Sequence, residues 1–244
     1  MGSPCQEIAC YSGREQLTEL WNAFTKAIEL LISLDPEVME IAGRSLTISG
    51  TSCLLASLIC LPLGGLIHFH QFRGKRALIN IIQTLFFLPT VLVGLLVFVL
   101  FCRTGPLGFF GILLTPTAMV IGQMILITPL LLGLTISALS GVSKETVDTA
   151  TSLGASGFQT IRLVLREARY AVLAAVIMGF GRAISEVGCA MLVGGNIRGF
   201  TRIITTSITL ETAKGDFELA IALGIILLSL ALIISIVLNR LQQR

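Results

Sequence analysis

The chain has 244 residues, 54% of them hydrophobic and only 13% charged, with a mean hydropathy of +0.90. A soluble domain carries about a quarter charged residues, so the composition excludes one and points to an integral membrane protein. A net charge of +3, with no basic stripe interleaved with aromatics, excludes a nucleic-acid-binding protein.

In chain order, the opening MGSPCQEIACYSGREQL has no basic stretch followed by an apolar one. No cleavable signal peptide is expected, and the first span is expected to direct insertion. Within residues 14–34, Leu17, Leu20, Trp21, Phe24, Ile28 and Leu31 share a helical face opposite Glu15, Glu19 and Lys26. This predicts an amphipathic helix at the membrane interface, with a short sixth span as the alternative. Asp35-Pro36 ends it. Five later segments reach the roughly 20 apolar residues that cross a bilayer: 46–69, 78–101, 112–139, 170–193 and 219–238. Pro116 is expected at the start of the third helix and Pro129 to kink it. Pro62, Gly64 and Gly65 in the first segment and Pro89 in the second read as sites of close packing or bending, and the 24 glycines fit tightly packed membrane helices. Period-two alternation is absent, which excludes a β-barrel. The expected organisation is an N-terminal extracytoplasmic or interfacial segment (1–45), a transmembrane domain (46–238) and a short tail (239–244).

Cys53, Cys60 and Cys189 fall in apolar segments and read as small packing residues. Cys5 and Cys10 lack the CxxC spacing of a zinc site, and no cluster resembles a metal centre. His68 and His70, beside Arg73, Lys75 and Arg76, read as interfacial.

Lys and Arg set the orientation. With the N-terminus outside, the inside pieces 70–77, 140–169 and 239–244 hold nine basic residues in 44 positions. The outside pieces 1–45, 102–111 and 194–218 hold seven in 80, less than half the density. The stretch DTATSLGASGFQTIRLVL (148–165) and the C-terminus are therefore expected in the cytoplasm. That stretch is too polar to span. Ser143 is a plausible N-cap with Glu145 in the first turn. Val147, Ala150, Thr151 and Gly154 share a face, and Gly154 is placed to end the helix in a left-handed turn. Ser156 to Gln159 has the form of a capping box, so a second helix follows at once, with Phe158, Ile161 and Leu165 as its apolar stripe. Two short capped helices in a loop suit docking by a cytosolic partner.

These residues resemble the cytoplasmic loop of ABC-importer permeases, E-A-A-x-x-x-G followed by a run ending in Leu-Pro. Aligned on Gly154, that loop's first three positions are Asp148, Thr149 and Ala150 here. Leu153, Gly154, Ala155 and Ser156 match, while Arg166-Glu167 stands in place of Leu-Pro. Residues 179–202, GFGRAISEVGCAMLVGGNIRGFTR, resemble molybdate- and tungstate-type permeases. Residues 107–123 and 208–228 are most similar to the tungstate branch. The resemblance implies an all-α polytopic membrane protein with the type I importer fold. It further implies a homodimer in the cell (inner) membrane that moves an oxyanion, tungstate or alternatively molybdate. A separate cytosolic ABC ATPase would use ATP and Mg, and an extracytoplasmic oxyanion-binding protein would deliver the cargo. The coupling residues would be Asp148, Thr149, Ala150, Leu153, Gly154, Ala155, Ser156 and Phe158.

Arg182 and Glu186 lie four residues apart in the fourth segment, a spacing that lets them pair. A lone charge at the bilayer centre costs about 2.5–3.5 kcal/mol, so both are expected to face the protein interior or a water-filled path. Two roles stay open: a bridge that holds helices in register, or a path or gate with Ser185, Gly194 and Asn196. The stretch GGNIRGFTRIITTSI (194–208) reads either as a landing site for delivered substrate or as a turn that caps the bundle. It imitates a phosphate loop, but Phe200 stands where the lysine belongs, so the chain is expected to bind no cofactor and to catalyse nothing itself. An intramembrane enzyme would need a nucleophile or metal near the pair, where only Ser185 and Cys189 lie. A passive anion channel would not need the capped cytoplasmic helices.

Overall fold

The structure is a computed structural model that describes residues 13–33 and 35–242. Cys5, Cys10, the first twelve residues and the last two lie outside the described residues. The described elements are helical. They are α1 (Gly13–Ile32), α2 (Pro36–Phe69), α3 (Lys75–Thr84), α4 (Thr90–Phe101), α5 (Pro116–Ser140), α6 (Lys144–Ser152), α7 (Gly157–Glu167), α8 (Arg169–Ile184), α9 (Gly188–Gly194), α10 (Ile204–Lys214) and α11 (Phe217–Gln242). Among the described residues three helices, α2, α5 and α11, are long and apolar enough to cross a membrane, and the number reaches five if each of two bent pairs, α3 with α4 and α8 with α9, is one span.

Local chemistry explains most boundaries. Asp35, expected to end α1, also starts α2: its carboxylate accepts from the N–H groups of Glu37 (3.0 Å) and Val38 (3.1 Å), and Pro36 fills the first turn. α2 thus begins ten residues before the apolar segment at 46 and reaches 34 residues. Thr115 caps α5 in the same way, with Pro116 first in the helix. α5 then continues through Pro129.

The segment 78–101 is not one straight helix. It breaks at Leu85–Leu88, and its halves meet at 96°. Pro89 has no N–H to continue the ladder and forces Leu88 into extended backbone (ψ 125°). The segment 170–193 breaks between Ile184 and Gly188 with a 58° bend.

α1 forms where the pattern predicts it, and the described side chains of its apolar face are turned outward. Trp21, Phe24, Ile28 and Ile32 are exposed, while Ala27 is buried with Ala222, Leu223 and Ile226 of α11. Large side chains facing away from the bundle are those of a helix in contact with lipid.

Packing among the central helices rests on small residues. Ser49, Ser52, Cys53, Ala56, Cys60 and Gly64 form the buried side of α2 against α5. A Cβ on Gly64 would come within 2.8 Å of Thr135, and one on Gly94 of α4 within 2.8 Å of the Cys189 backbone in α9. Without a hydrophobic drive between helices in lipid, such approach maximises dispersion contact.

The chain has two ends. The starts of α2, α5 and α11 lie with the loop 195–203 and α10, because Ser45 accepts from Ile204 N (2.9 Å) and Leu114 N donates to Val193 O (2.9 Å). The end of α2 meets the end of α5, where His68 and Ser140 are 3.4 Å apart, and α6–α7 pack there.

The glycine contacts give a direct test. Gly94→Ala should lose about 1–3 kcal/mol, since a backbone atom must move, whereas Gly43→Ala, with open space around it, should change stability by about 0.5 kcal/mol or less. Thermal unfolding of the two variants in detergent checks the difference.

Candidate functional site

The capped pair of helices is built by its own sequence. Ser143 Oγ accepts from Thr146 N at 3.4 Å and starts α6. Gly154 takes φ +81°, the left-handed turn that ends it. Ser156 N donates to Gln159 Oε1 (2.8 Å) and Gln159 N to Ser156 Oγ (3.4 Å), a complete capping box at the start of α7.

The underside of the pair is seated on three helix ends. Val164 is fully buried with Leu139 of α5 and Val172 of α8, and Leu61 and Phe69 of α2 pack around them. The buried side of α7 is therefore Thr160, Val164 and the following Ala168, about a quarter turn from the expected stripe of Phe158, Ile161 and Leu165. Apolar periodicity alone does not say which of two apolar sets meets the bundle. Ile161 touches the space beside Gly65, but Phe158 points outward and is 77% exposed. Leu153 is 83% exposed. Asp148, Thr149, Gly154 and Ser156 are exposed as well, Ala155 is half-buried, and Ala150 is buried. Glu145, Thr149, Leu153 and Leu163 border a shallow depression of about 370 Å³. The result is a firmly seated platform with two large apolar side chains raised from it.

Arg182 and Glu186 do pair, at 2.8 Å. They do so across the break rather than along one helix: Arg182 is in the last turn of α8 and Glu186 lies beyond its end. The second carboxylate oxygen accepts from Cys189 N (2.9 Å) in the first turn of α9. An anion at a helix N-terminus is favoured by the unpaired N–H groups there. The Glu186 carbonyl accepts from Thr205 Oγ1 (2.8 Å), which ties α10 to the break. Glu186 is 2% exposed, and Arg182 is 35% exposed. The acid thus builds the bend, and the guanidinium reaches the open side of α8 beside exposed Gly181 and Ser185. Ser185 Oγ donates to Arg182 O at 3.2 Å.

Gly194 and Asn196 belong to a different place. Gly194 is buried against Met119, and Asn196, with φ +50°, donates from Nδ2 to Thr206 O (3.5 Å). The hydroxyls of 194–208 are buried and used internally: Thr201 receives Ile197 N (2.9 Å), and Thr206 and Ser207 bond to Ile203 O (3.0 and 2.9 Å). This stretch is a cap on the bundle, with no free row of hydroxyls to receive an anion.

Several buried polar residues went unremarked in the sequence, among them Ser45, Ser52, Thr135 and Gln123. Gln123 of α5 donates to Ala183 O of α8 (3.2 Å) and accepts from Ser52 of α2 (3.1 Å). A lone glutamine inside an apolar segment was its only sequence signal.

Charge is distributed unequally between the two ends. At the end bearing loop 195–203, Lys26 pairs with Glu218, Arg44 with Glu40, Arg198 and Arg202 with Glu37, and Lys214 with Glu211. Of the cations there whose side chains are described, Arg103 alone makes no such pair. At the α6–α7 end, none of Arg73, Lys75, Arg76, Arg162, Arg166, Arg169 and Arg240 makes a salt bridge among the described residues, although Glu145, Asp148 and Glu167 are nearby in sequence.

Residues 60–244 match a family model described as "Binding-protein-dependent transport system inner membrane component". The chain is 43% identical to the tungstate uptake system permease protein TupB of Peptoclostridium acidaminophilum, over 90% of this chain and 96% of that one. It is 36% identical to TupB of Campylobacter jejuni, over 93% and 95%. It also resembles the crystal structure of a bacterial ABC transporter involved in the import of the acidic polysaccharide alginate, with a TM-score of 0.74 and 20% identity over 99% of this chain and 93% of that one, a likeness of fold.

The break supplies its own prediction. Glu186→Ala should cost about 3 kcal/mol, the low end for breaking a buried ion pair, because Arg182 keeps some solvent. Glu186→Gln retains an acceptor for Cys189 N and should recover more than half of the loss. Thermal unfolding in detergent reads both; equal losses would show that the cap contributes nothing.

Proposed function

This chain belongs to the family of binding-protein-dependent transport system inner membrane components, and from that premise we propose that it carries an oxyanion, tungstate, into the cell on ATP hydrolysed by a separate subunit. The observation that carries the cargo is the identity of 43% and 36%, over nearly their whole lengths, to two permeases named for tungstate uptake.

In this reading the chain works as a homodimer, with the path between two copies. The open side of α8, where Arg182 emerges, then faces the two-fold axis. The α6–α7 end is cytoplasmic and the N-terminus is outside. Seven cations at that end that form no salt bridge among the described residues support this, since Lys and Arg favour the cytoplasmic side and its anionic lipid. At the other end the basic residues are largely neutralised within the chain.

Each α6–α7 platform docks into a cytosolic ATPase through Leu153 and Phe158, with Asp148, Thr149, Gly154 and Ser156 around them. Exposed apolar side chains on a rigid base are what an interface anchor needs. ATP and Mg belong to that partner; this chain takes neither. An extracytoplasmic oxyanion-binding protein delivers cargo over the cap at 194–208. ATP binding draws the two platforms together, and the ATPase's unequal affinity for the two permease states drives the change. The Arg182–Glu186 pair gates the path by holding the α8–α9 bend.

Two experiments test this. The ATPase subunit should co-purify with the chain, and Gly154→Arg or Asp148→Arg should release it while the permease stays in the membrane. Retention of the ATPase by both variants would remove the docking assignment. In vesicles of the full complex, labelled tungstate uptake should be competed by unlabelled tungstate well before molybdate or sulfate. Arg182→Ala and Glu186→Ala should each abolish it while still inserting.

A further inference from the structure

We infer that the face of α3 bearing Arg76, Asn80 and Gln83 lines the translocation path in the half near the α6–α7 platform, with the two amides passing the oxyanion between them. The cargo rests on the importer reading above; the placement does not.

α3 has two unlike sides. Leu78, Ile79, Ile82 and Phe86 pack with Cys60 of α2 and with Leu131, Leu132 and Ile136 of α5, and Phe86 fills the space beside Gly133. Those partners lie within the membrane-crossing helices, so α3 sits at membrane depth. Arg76, Asn80 and Gln83 recur at i, i+4 and i+7 on a separate face, about a third of a turn from the packed one, and all three are exposed, while Ile81, 57% exposed, takes the remaining side. None of their side chains has a hydrogen-bond or ion-pair partner within the described chain, whereas nearby Thr84 satisfies its hydroxyl by donating to Asn80 O at 2.9 Å.

An unpaired amide does not face hydrocarbon when a wetter surface is available, because lipid offers nothing to its donors and acceptor. The contrast with α4 is direct. Beyond the 96° bend, the exposed residues Leu95, Leu96 and Val99 are apolar and suit lipid. One bent segment thus turns a lipid-compatible surface outward in one half and a polar row in the other.

The row's chemistry fits a dianion in transit. Each amide offers two N–H donors and no charge. Charge-assisted bonds from arginine are about twice as strong as neutral ones, and conduction needs sites that release what they bind. Arg76, at the mouth, supplies attraction; Asn80 and Gln83, deeper in, supply solvation.

The test uses the full complex in membrane vesicles, with Cys5, Cys10 and Cys102 replaced by serine. Asn80→Cys and Gln83→Cys should react with a charged, membrane-impermeant thiol reagent at least about tenfold faster than Leu95→Cys, Leu96→Cys or Val99→Cys. Rates no faster than at the α4 positions overturn the inference, whatever the cargo. As a second arm, Asn80→Leu and Gln83→Leu suit lipid better than the native amides and should assemble normally, yet uptake should fall by about tenfold. Unchanged uptake in both leucine variants also overturns it. Thiol reactivity without tungstate uptake in the unsubstituted complex would leave the path assigned and the cargo misidentified.

Discussion

The carboxylate of Glu186 is the point from which the rest of this bundle is laid out. A buried acid in an apolar bundle is tolerated only when its oxygens are occupied, and here three groups occupy the residue: the Arg182 guanidinium, the Cys189 N–H and the Thr205 hydroxyl on its carbonyl. Satisfying them forces α8 to stop and α9 to start at a new angle. The 58° turn brings Cys189 against Gly94 and Gly122, where no larger residue fits, and sets Gly194 on Met119. The cap at 195–208 is then fastened back to α2 through Ser45 and Arg44, which donates to Arg202 O at 2.9 Å. A single side chain therefore fixes one helix end, one helix start and the cap over both.

What was legible in the sequence follows the range of the forces involved. The α6–α7 pair was readable in detail, down to Gly154 and the Ser156–Gln159 box, because caps act within four residues. The bend at Pro89 was legible as a site of bending, since a missing N–H is a local fact, but not its near right angle. The break after Ile184 was hidden. A glutamate four residues after an arginine looks the same whether the two pair along one helix or across a gap. Only the third partner, the Cys189 N–H, distinguishes them, and it is set by α9 packing on α4 and α5. The orientation of α7 about its own axis was hidden for a related reason. In a chain this apolar each helix has two apolar sides, one for neighbours and one for lipid, and periodicity does not tell them apart.

The same limit explains why the hydroxyl-rich stretch 194–208 read as a possible landing site. Serines and threonines advertise hydrogen bonds without saying to whom. In lipid-embedded helices the nearest unmet acceptors are backbone carbonyls at breaks and turns, and Thr201, Thr205, Thr206 and Ser207 all go there. Asn80 and Gln83, exposed and without a side-chain partner among the described residues, drew no notice in the sequence because they sit singly within an apolar run.

Mechanical logic connects the platform to the bend. Val164 is wedged among the ends of α2, α5 and α8, so a displacement of α6–α7 meets a close-packed joint that yields little. α8 leaves that joint and runs 16 residues, about 24 Å, to Arg182 and the break. Over that length it is held to α5 by Gly179 against Leu131 and by Gln123 on Ala183 O. α5 and α2 are themselves bridged through Gln123 and Ser52, so the three helices are tied to one another between platform and break. Under the proposed coupling, a displacement at the platform is carried along α8 to the break at Ser185–Val187, where the Arg182–Glu186 pair and the Cys189 N–H set the angle between α8 and α9.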